Sequence, residues 1–146
     1  KIYGKGEQET VLQEKIRELG LEDCACLAGY ATDTYGVLCE ADVYLMSSKR
    51  EGFPNALSEA MAVGLPSVSF RCHGGIDELL DFGRRGIAVP LNDQQAFVEA
   101  CLELCHNKEK CIEYSENAKE VCRIYSLENV KKIWDSCIEE AIQRSK

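Results

Sequence analysis

Basic residues are in short supply. Seventeen Lys and Arg stand against 25 Asp and Glu, for a net charge of −8. An acidic surface repels a phosphate backbone rather than releasing its counterions, so no nucleic-acid partner is expected. Proline is scarce at 3, and glycine numbers 11. With 45% hydrophobic and 29% charged residues, this is the balance of a globular chain that buries a core, not of a disordered one. Long apolar runs are missing: none approaches the roughly 20 residues that cross a bilayer. No basic stretch followed by an apolar core and a small-residue cleavage site opens the chain. A Ser-His-Asp set and a Cys-x-x-Cys pair are absent, and Cys101-x3-Cys105-His106 does not match zinc spacing, so neither a metal nor a cofactor is expected. The initiator Met is lacking too. Lys1-Ile2-Tyr3-Gly4 enters a strand pattern with no turn before it, which reads as a single-domain fragment, residues 1–146, of something longer.

Cysteine is not scarce. There are 9, an odd number that cannot pair completely within one chain. Cys24 and Cys26 alternate in a strand-like run, Cys101 and Cys105 stand one helical turn apart, and Cys111, Cys122 and Cys137 occupy apolar phases. They are expected to be small buried hydrophobes, all reduced, in a cytoplasmic protein.

Along the chain the apolar pattern switches between short runs and helical periodicity, the signature of βα units and a parallel sheet. The expected elements are a strand at Ile2-Tyr3, a helix over about Gln8 to Leu19 with Val11, Leu12, Ile16 and Leu19 on one stripe, and a strand at Cys24 to Leu27. A short helix at Thr34 to Glu40, a strand at Val43 to Met46, a helix at Asn55 to Val63 and a strand at Ser67 to Phe70 follow. Ile76 to Leu80 is a short helix and Gly86 to Val89 the fifth strand. Three helices close the chain, at Asp93 to His106, Lys108 to Tyr125 and Leu127 to Gln143. The last places Leu127, Val130, Ile133, Trp134, Cys137, Ile138, Ala141 and Ile142 on one face, with Trp134 expected in the core.

In open parallel sheets ligands bind beyond the carboxyl ends of the strands. The loop after Met46 is the richest of these. Gly52 lets a backbone approach a ligand, and the helix that starts near Asn55 presents free N–H groups and a positive dipole end, which together make a phosphate seat. Glu51 and Glu59 flank it with seven residues between them. One carboxylate can accept hydrogen bonds from sugar hydroxyls and the other can hold a ribose. Taken singly, Glu51 also reads as a solvated loop charge and Glu59 as a complement to the helix dipole. Lys49-Arg50 forms a charged rim, His73 sits in a turn on the same crevice or simply on the surface, and His106 faces solvent.

The string Glu51-Gly52-Phe53-Pro54-Asn55 through Glu59-Ala60-Met61-Ala62-Val63-Gly64-Leu65-Pro66-Ser67-Val68 resembles the E-x7-E signature of retaining GT-B glycosyltransferases of the glycosyltransferase family 4 type. Gly4-Lys5-Gly6, Leu27-Ala28-Gly29, Ala41-Asp42-Val43, Gly74-Gly75-Ile76-Asp77-Glu78 and Gly86-Ile87-Ala88-Val89-Pro90 agree with it.

The resemblance implies an α/β, Rossmann-like parallel sheet of about five strands flanked by helices, one half of a GT-B fold with C-terminal helices. It implies a nucleotide-diphosphate sugar as donor and a glycan or lipid-linked acceptor held by an N-terminal domain outside this chain. Transfer would proceed with retention, on the cytoplasmic side and at the inner face of the membrane through peripheral association. Glu51 would contact hydroxyls of the transferred sugar and act as the catalytic group, while Glu59 would bind the ribose. Gly52 and the amides of Phe53, Asn55, Ala56 and Leu57 would hold sugar and diphosphate. Gly29 and Tyr30 would lie by the base. Pro54 replaces a Gly common in the family and donates no N–H.

The resemblance also implies a central first strand, with an Arg and a Lys for the diphosphate, that precedes Lys1. Without it the Ile2-Tyr3 and Val43 to Leu45 strands are expected to stand a strand's width apart, or else to pair directly. Strands in unrelated sheets would count against the fold. A non-catalytic nucleotide-binding α/β module and a GT-B-type sugar-nucleotide epimerase are the competing functions. The isolated fragment is expected to be inactive. All nine cysteines should titrate with a thiol reagent after denaturation without reductant, and a disulfide would contradict the cytoplasmic reading.

Overall fold

A computed structural model of the chain describes residues 1–144. The chain divides into two compact units, Lys1–Val37 and the remainder from Leu38 onward.

In the first unit a short strand β1 (Ile2–Tyr3) leads into helix α1 (Glu9–Glu18) and strand β2 (Leu27–Gly29). The two strands run parallel with Ile2 opposite Leu27 and Tyr3 opposite Gly29, tied by Ile2 N–H to Cys26 O at 2.8 Å and Gly4 N–H to Gly29 O at 2.7 Å. The strand expected at Cys24 begins later. Gly20, at φ +64, ends α1, and the chain then turns again, with Cys24 and Ala25 N–H both donating to Leu21 O. Those residues therefore cannot extend into a ladder. Of the α1 stripe only Ile16 is buried.

Helix α2 (Thr34–Cys39) crosses the boundary between the units. The second unit then runs β3 (Tyr44–Met46), α3 (Asn55–Ala62), β4 (Ser67–Arg71), α4 (Ile76–Leu79), a 3-10 turn at Asp81–Gly83, β5 (Ile87–Pro90), α5 (Gln94–His106), α6 (Lys108–Ala118), α7 (Glu120–Ile124) and α8 (Leu127–Arg144). Its sheet has the order β3-β4-β5, all parallel. Strand β4 is central, and its first four residues are buried. Val68 and Phe70 face one cluster with Val89, Ala100, Leu104 and Tyr114. Ser67 and Ser69 alternate with them and are also fully buried. Their hydroxyls donate to Leu65 O at 3.0 Å and Phe70 O at 2.9 Å, which removes the penalty for an unpaired buried polar group. A second cluster, Met46, Leu57, Met61, Cys72, Ile76, Leu79, Leu80, Ala118 and Val121, lies between the sheet and helices α3, α4, α6 and α7.

The α/β class, the five strands, their parallel pairing and the flanking helices agree with expectation. The strands form two ladders, β1-β2 in the first unit and β3-β4-β5 in the second. The helix expected over Lys108 to Tyr125 is broken at Lys119 into α6 and α7, because Ala118 and Val121 both enter the core while Glu120 turns to meet two arginines. The cysteines correct the expectation of burial. Only Cys72 is buried, Cys101 and Cys111 are intermediate, and Cys24, Cys26, Cys39, Cys105, Cys122 and Cys137 are exposed, all as free thiols. Helix α8 buries no residue, and Trp134 is 64% exposed. Along its amphipathic stripe Val130 is half-buried, whereas Leu127, Ile133, Trp134 and Ile138 are exposed.

A charge network closes the turn before β5. Arg85, buried, donates to Glu120 Oε2 at 3.0 Å and to Leu79 O at 3.4 Å. Arg84 forks onto the same carboxylate and onto Asp81. Hydrogen bonds from Arg84, then Arg85, hold the Glu120 carboxyl at about 2, below its ordinary 4.5. A depressed folded-state pKa gives stability that is complete above the unfolded value and is lost as pH falls from 4.5 toward 2. Thermal melts should therefore show Glu120→Gln with a lower Tm than wild type at neutral pH and a smaller further loss across that acid window. Parallel pH profiles for the two proteins would contradict the network.

Candidate functional site

The β3 and β4 strands run in register, with Met46 opposite Ser69, so the chain leaves both carboxyl ends close together. Ser47 to Pro54 follows β3, and the Cys72-His73-Gly74-Gly75 turn follows β4. The two segments are joined where the Glu51 N–H donates to His73 O at 3.1 Å. Glu51 is thereby held, half-buried, in the middle of its loop.

Helix α3 begins on Pro54, which is fully buried and provides no side-chain cap. Its first turn corrects one detail of the expected seat. The Asn55 N–H is engaged with Phe53 O at 2.9 Å, and the Ser58 N–H with Pro54 O at 3.0 Å. Ala56 and Leu57 N–H have no backbone acceptor among the described residues, so these two donors and the helix dipole remain for a ligand. The Leu57 side chain is completely buried, whereas Asn55 and Ala56 are exposed. Leu57 thus anchors the start of the helix in the core. Gly52 is open: a Cβ there would meet nothing within 4 Å, so packing of the chain itself does not require the glycine. Phe53 is half-exposed and meets the Tyr125 ring edge-on at 5.4 Å between centroids.

Glu59 lies on the second turn of α3, exposed. Neither Glu51 nor Glu59 forms an ion pair among the described residues. The Tyr44 phenol, which sequence reasoning passed over as an ordinary strand residue, connects them. Burial pushes its pKa up, and the Glu51 and then the Glu59 carboxylate push it further. Both charges therefore act on one point beside β3. No periodicity signals this, since it depends on how α3 folds back over the strand.

Gly29 and Tyr30 lie in the first unit. Gly29 ends β2 at φ +69, a conformation that favours glycine. Tyr30 is exposed, with Lys5 Nζ 5.9 Å from its ring centroid. Of the remaining candidates, His73 and His106 are exposed. Among the described residues no group of three or more His, Cys, Asp or Glu is arranged to hold a metal. No helix among them is long and apolar enough to cross a membrane.

Comparison with known proteins gives this arrangement a context. Residues 1–107 match the family model described as glycosyl transferases group 1. The amylovoran biosynthesis glycosyltransferase AmsK of Erwinia amylovora is 40% identical over 111 residues, covering 70% of this chain and 27% of that protein. The UDP-N-acetylglucosamine–peptide N-acetylglucosaminyltransferase GtfA subunit of Streptococcus gordonii is 31% identical over 146 residues, covering 95% and 28%. A crystal structure of S. aureus TarM superposes with a TM-score of 0.85 at 24% identity, covering 92% of this chain and 28% of that one. The Rossmann-like half of a GT-B fold is thus the architecture, and the chain spans only a little over a quarter of each of these three proteins.

The convergence of two carboxylates on Tyr44 is open to direct measurement. Tyr44 should ionise above the ordinary tyrosine range, and Glu51→Gln should lower its pKa, with a smaller drop for Glu59→Gln. NMR of ring-labelled tyrosine would follow this. An unchanged Tyr44 titration in both variants would mean that the carboxylates point elsewhere.

Proposed function

The chain belongs to the glycosyl transferases group 1 family, and on that premise we propose that it is the donor-binding domain of an enzyme that moves a sugar from a nucleotide diphosphate to a glycan or lipid-linked acceptor, with retention of configuration. The observation that carries the proposal is the uncapped start of α3, with the Ala56 and Leu57 amides lacking a backbone acceptor among the described residues, Ala56 exposed, and Glu51 and Glu59 on either side of it. Each part matches a part of such a donor. Two N–H groups and a helix dipole suit a diphosphate. Carboxylates accept hydrogen bonds but donate none, so beside an anion they suit hydroxyl-bearing partners. In the proposal Glu51 takes hydroxyls of the transferred sugar, Glu59 the ribose, Gly52 and Phe53 line the sugar, and Gly29 and Tyr30 serve the base.

Catalysis then rests on positioning and on stabilising the departing diphosphate. The proposal assigns no metal and no cofactor apart from the donor itself. Acceptor recognition belongs to an N-terminal half outside these 146 residues, so the isolated chain would not transfer sugar. The family name, the name of the Streptococcus gordonii relative, which specifies UDP-N-acetylglucosamine, and that of the Erwinia amylovora relative, which specifies amylovoran biosynthesis, support the sugar-nucleotide donor and a biosynthetic role, which the proposal places on the cytoplasmic side, at the inner membrane face.

The test begins with a screen of nucleotide-diphosphate sugars on a full-length protein that contains this domain, which selects the donor. Glu59→Ala should then weaken binding of the corresponding nucleoside diphosphate by about 5- to 150-fold, the equivalent of roughly 1 to 3 kcal/mol for a lost hydrogen-bonded carboxylate. Glu51→Gln should leave that affinity near wild type and lower kcat. Unchanged affinity in the first variant, or unchanged turnover in the second, would remove the corresponding role. Binding without any transfer or hydrolysis would favour the non-catalytic module instead.

A further inference from the structure

Three consecutive residues beyond β4 grip the main chain of Glu51. The His73 carbonyl accepts its N–H at 3.1 Å. Gly74 lies directly against the peptide that follows: a Cβ placed on it would stand 2.5 Å from the Glu51 carbonyl oxygen, 2.9 Å from the carbonyl carbon and 3.0 Å from the Glu51 Cβ. These neighbours are backbone and the root of the side chain, so none can rotate aside as the end of a long side chain would. Cys72, the residue before His73, is buried among Met46, Leu57 and Ile76, which anchors the turn in the core. The Cys72 thiol feels the same residue, since burial and then the Glu51 carboxylate push its pKa up.

The contrast with neighbouring glycines is informative. A Cβ on Gly52, one residue from Glu51, would have nothing within 4 Å, and one on Gly75 would have only Glu78 Oε2 at 3.9 Å. Gly74 and Gly75 both have positive φ, +120 and +78, so a side chain would strain either. Only Gly74 adds a collision with Glu51.

We infer that Gly74 is a positioning residue for sugar transfer: because it has no side chain, the turn after β4 lies flat on Glu51 and sets where that carboxylate points. This rests on the reading of Glu51 as the sugar-facing group. The loop from Ser47 to Pro54 has no regular secondary structure, and this contact is what holds it at Glu51. Glu59 is carried by α3 and does not lean on the turn. A side chain at position 74 would therefore displace the group that meets the sugar while leaving the nucleotide half of the site in place.

The experiment uses the full-length enzyme, the donor selected above and its nucleoside diphosphate. Gly74→Ala should lower kcat between about 10- and 100-fold, the effect of displacing a reacting contact by around an ångström, with nucleoside diphosphate affinity close to wild type. Gly75→Ala, strained but clear of Glu51, should lose far less turnover. Adding Glu51→Gln to Gly74→Ala should cost little more, since the carboxylate is already out of place. An equal loss in the two glycine variants, or fully additive losses in the double variant, would overturn the inference. If Glu51→Gln alone keeps wild-type turnover, the sugar-facing reading falls and the positioning role with it. If Glu51→Gln is impaired while Gly74→Ala is not, only the positioning role falls. Should Gly74→Ala fail to fold, hydrogen exchange on the wild-type enzyme decides: the Glu51 amide should exchange well below the unstructured rate, and free exchange would refute the clamp.

Discussion

Strand β4 is buried on both faces, and the second unit is organised around that constraint. It carries apolar Val68 and Phe70 on one side and the small, internally hydrogen-bonded Ser67 and Ser69 on the other. The serines leave room on their side of the sheet for Leu57, Met61, Ile76 and Leu79. Gly86 meets the same demand for space, since a Cβ there would stand 2.9 Å from Ser67 O. With β3 and β5 both locked to β4 in parallel register, the segments that leave β3 and β4 emerge side by side. The contact between Glu51 and the His73-Gly74 turn is a consequence of that register, and so is the opening of α3 toward the same space.

The electrostatics of the site follow from what surrounds α3. Two carboxylates without a salt-bridged partner among the described residues stand near an uncapped helix start. By itself such an arrangement repels a diphosphate as much as the helix dipole attracts it. The conflict is resolved if the acidic groups meet hydroxyls while the amides of Ala56 and Leu57 meet phosphate oxygens, a division of labour that a nucleotide sugar fits and a simple anion does not. Burial first and the Glu51 carboxylate second raise both the Tyr44 and the Cys72 pKa, one from β3 and the other from the end of β4.

Away from the site, the Arg84-Arg85-Glu120 network fixes the turn after α4 to α7. Asp81 and Phe82 adopt positive φ there, +49 and +50, which costs on the order of 1–3 kcal/mol each for non-glycine residues. The buried Arg85 guanidinium, bonded to both Leu79 O and Glu120, lies among the contacts that hold the chain in that conformation.

The alternation of strands and helices, the parallel class and the Glu51 to Glu59 string were legible from residue order alone, because periodicity and local turn chemistry report which residues share a face. Ser67 to Phe70 reads as a strand since every second residue is apolar. Periodicity does not report what lies opposite a face. Leu127, Ile133, Trp134 and Ile138 on α8, Val11 and Leu12 on α1, and Cys24, Cys26, Cys105, Cys122 and Cys137 occupy apolar phases yet stand exposed among the described residues. The break at Lys119 arises because Arg84 and Arg85, some 35 residues away in sequence, claim Glu120. The Asn55 amide is taken up by Phe53 because of the local bend at Pro54. Residue order alone thus determined which groups are candidates for the chemistry and roughly where each element lies. Tertiary structure decided their aim, from the convergence on Tyr44 to the seating of Glu51 on Gly74, because such contacts join residues brought together only when β3 and β4 align.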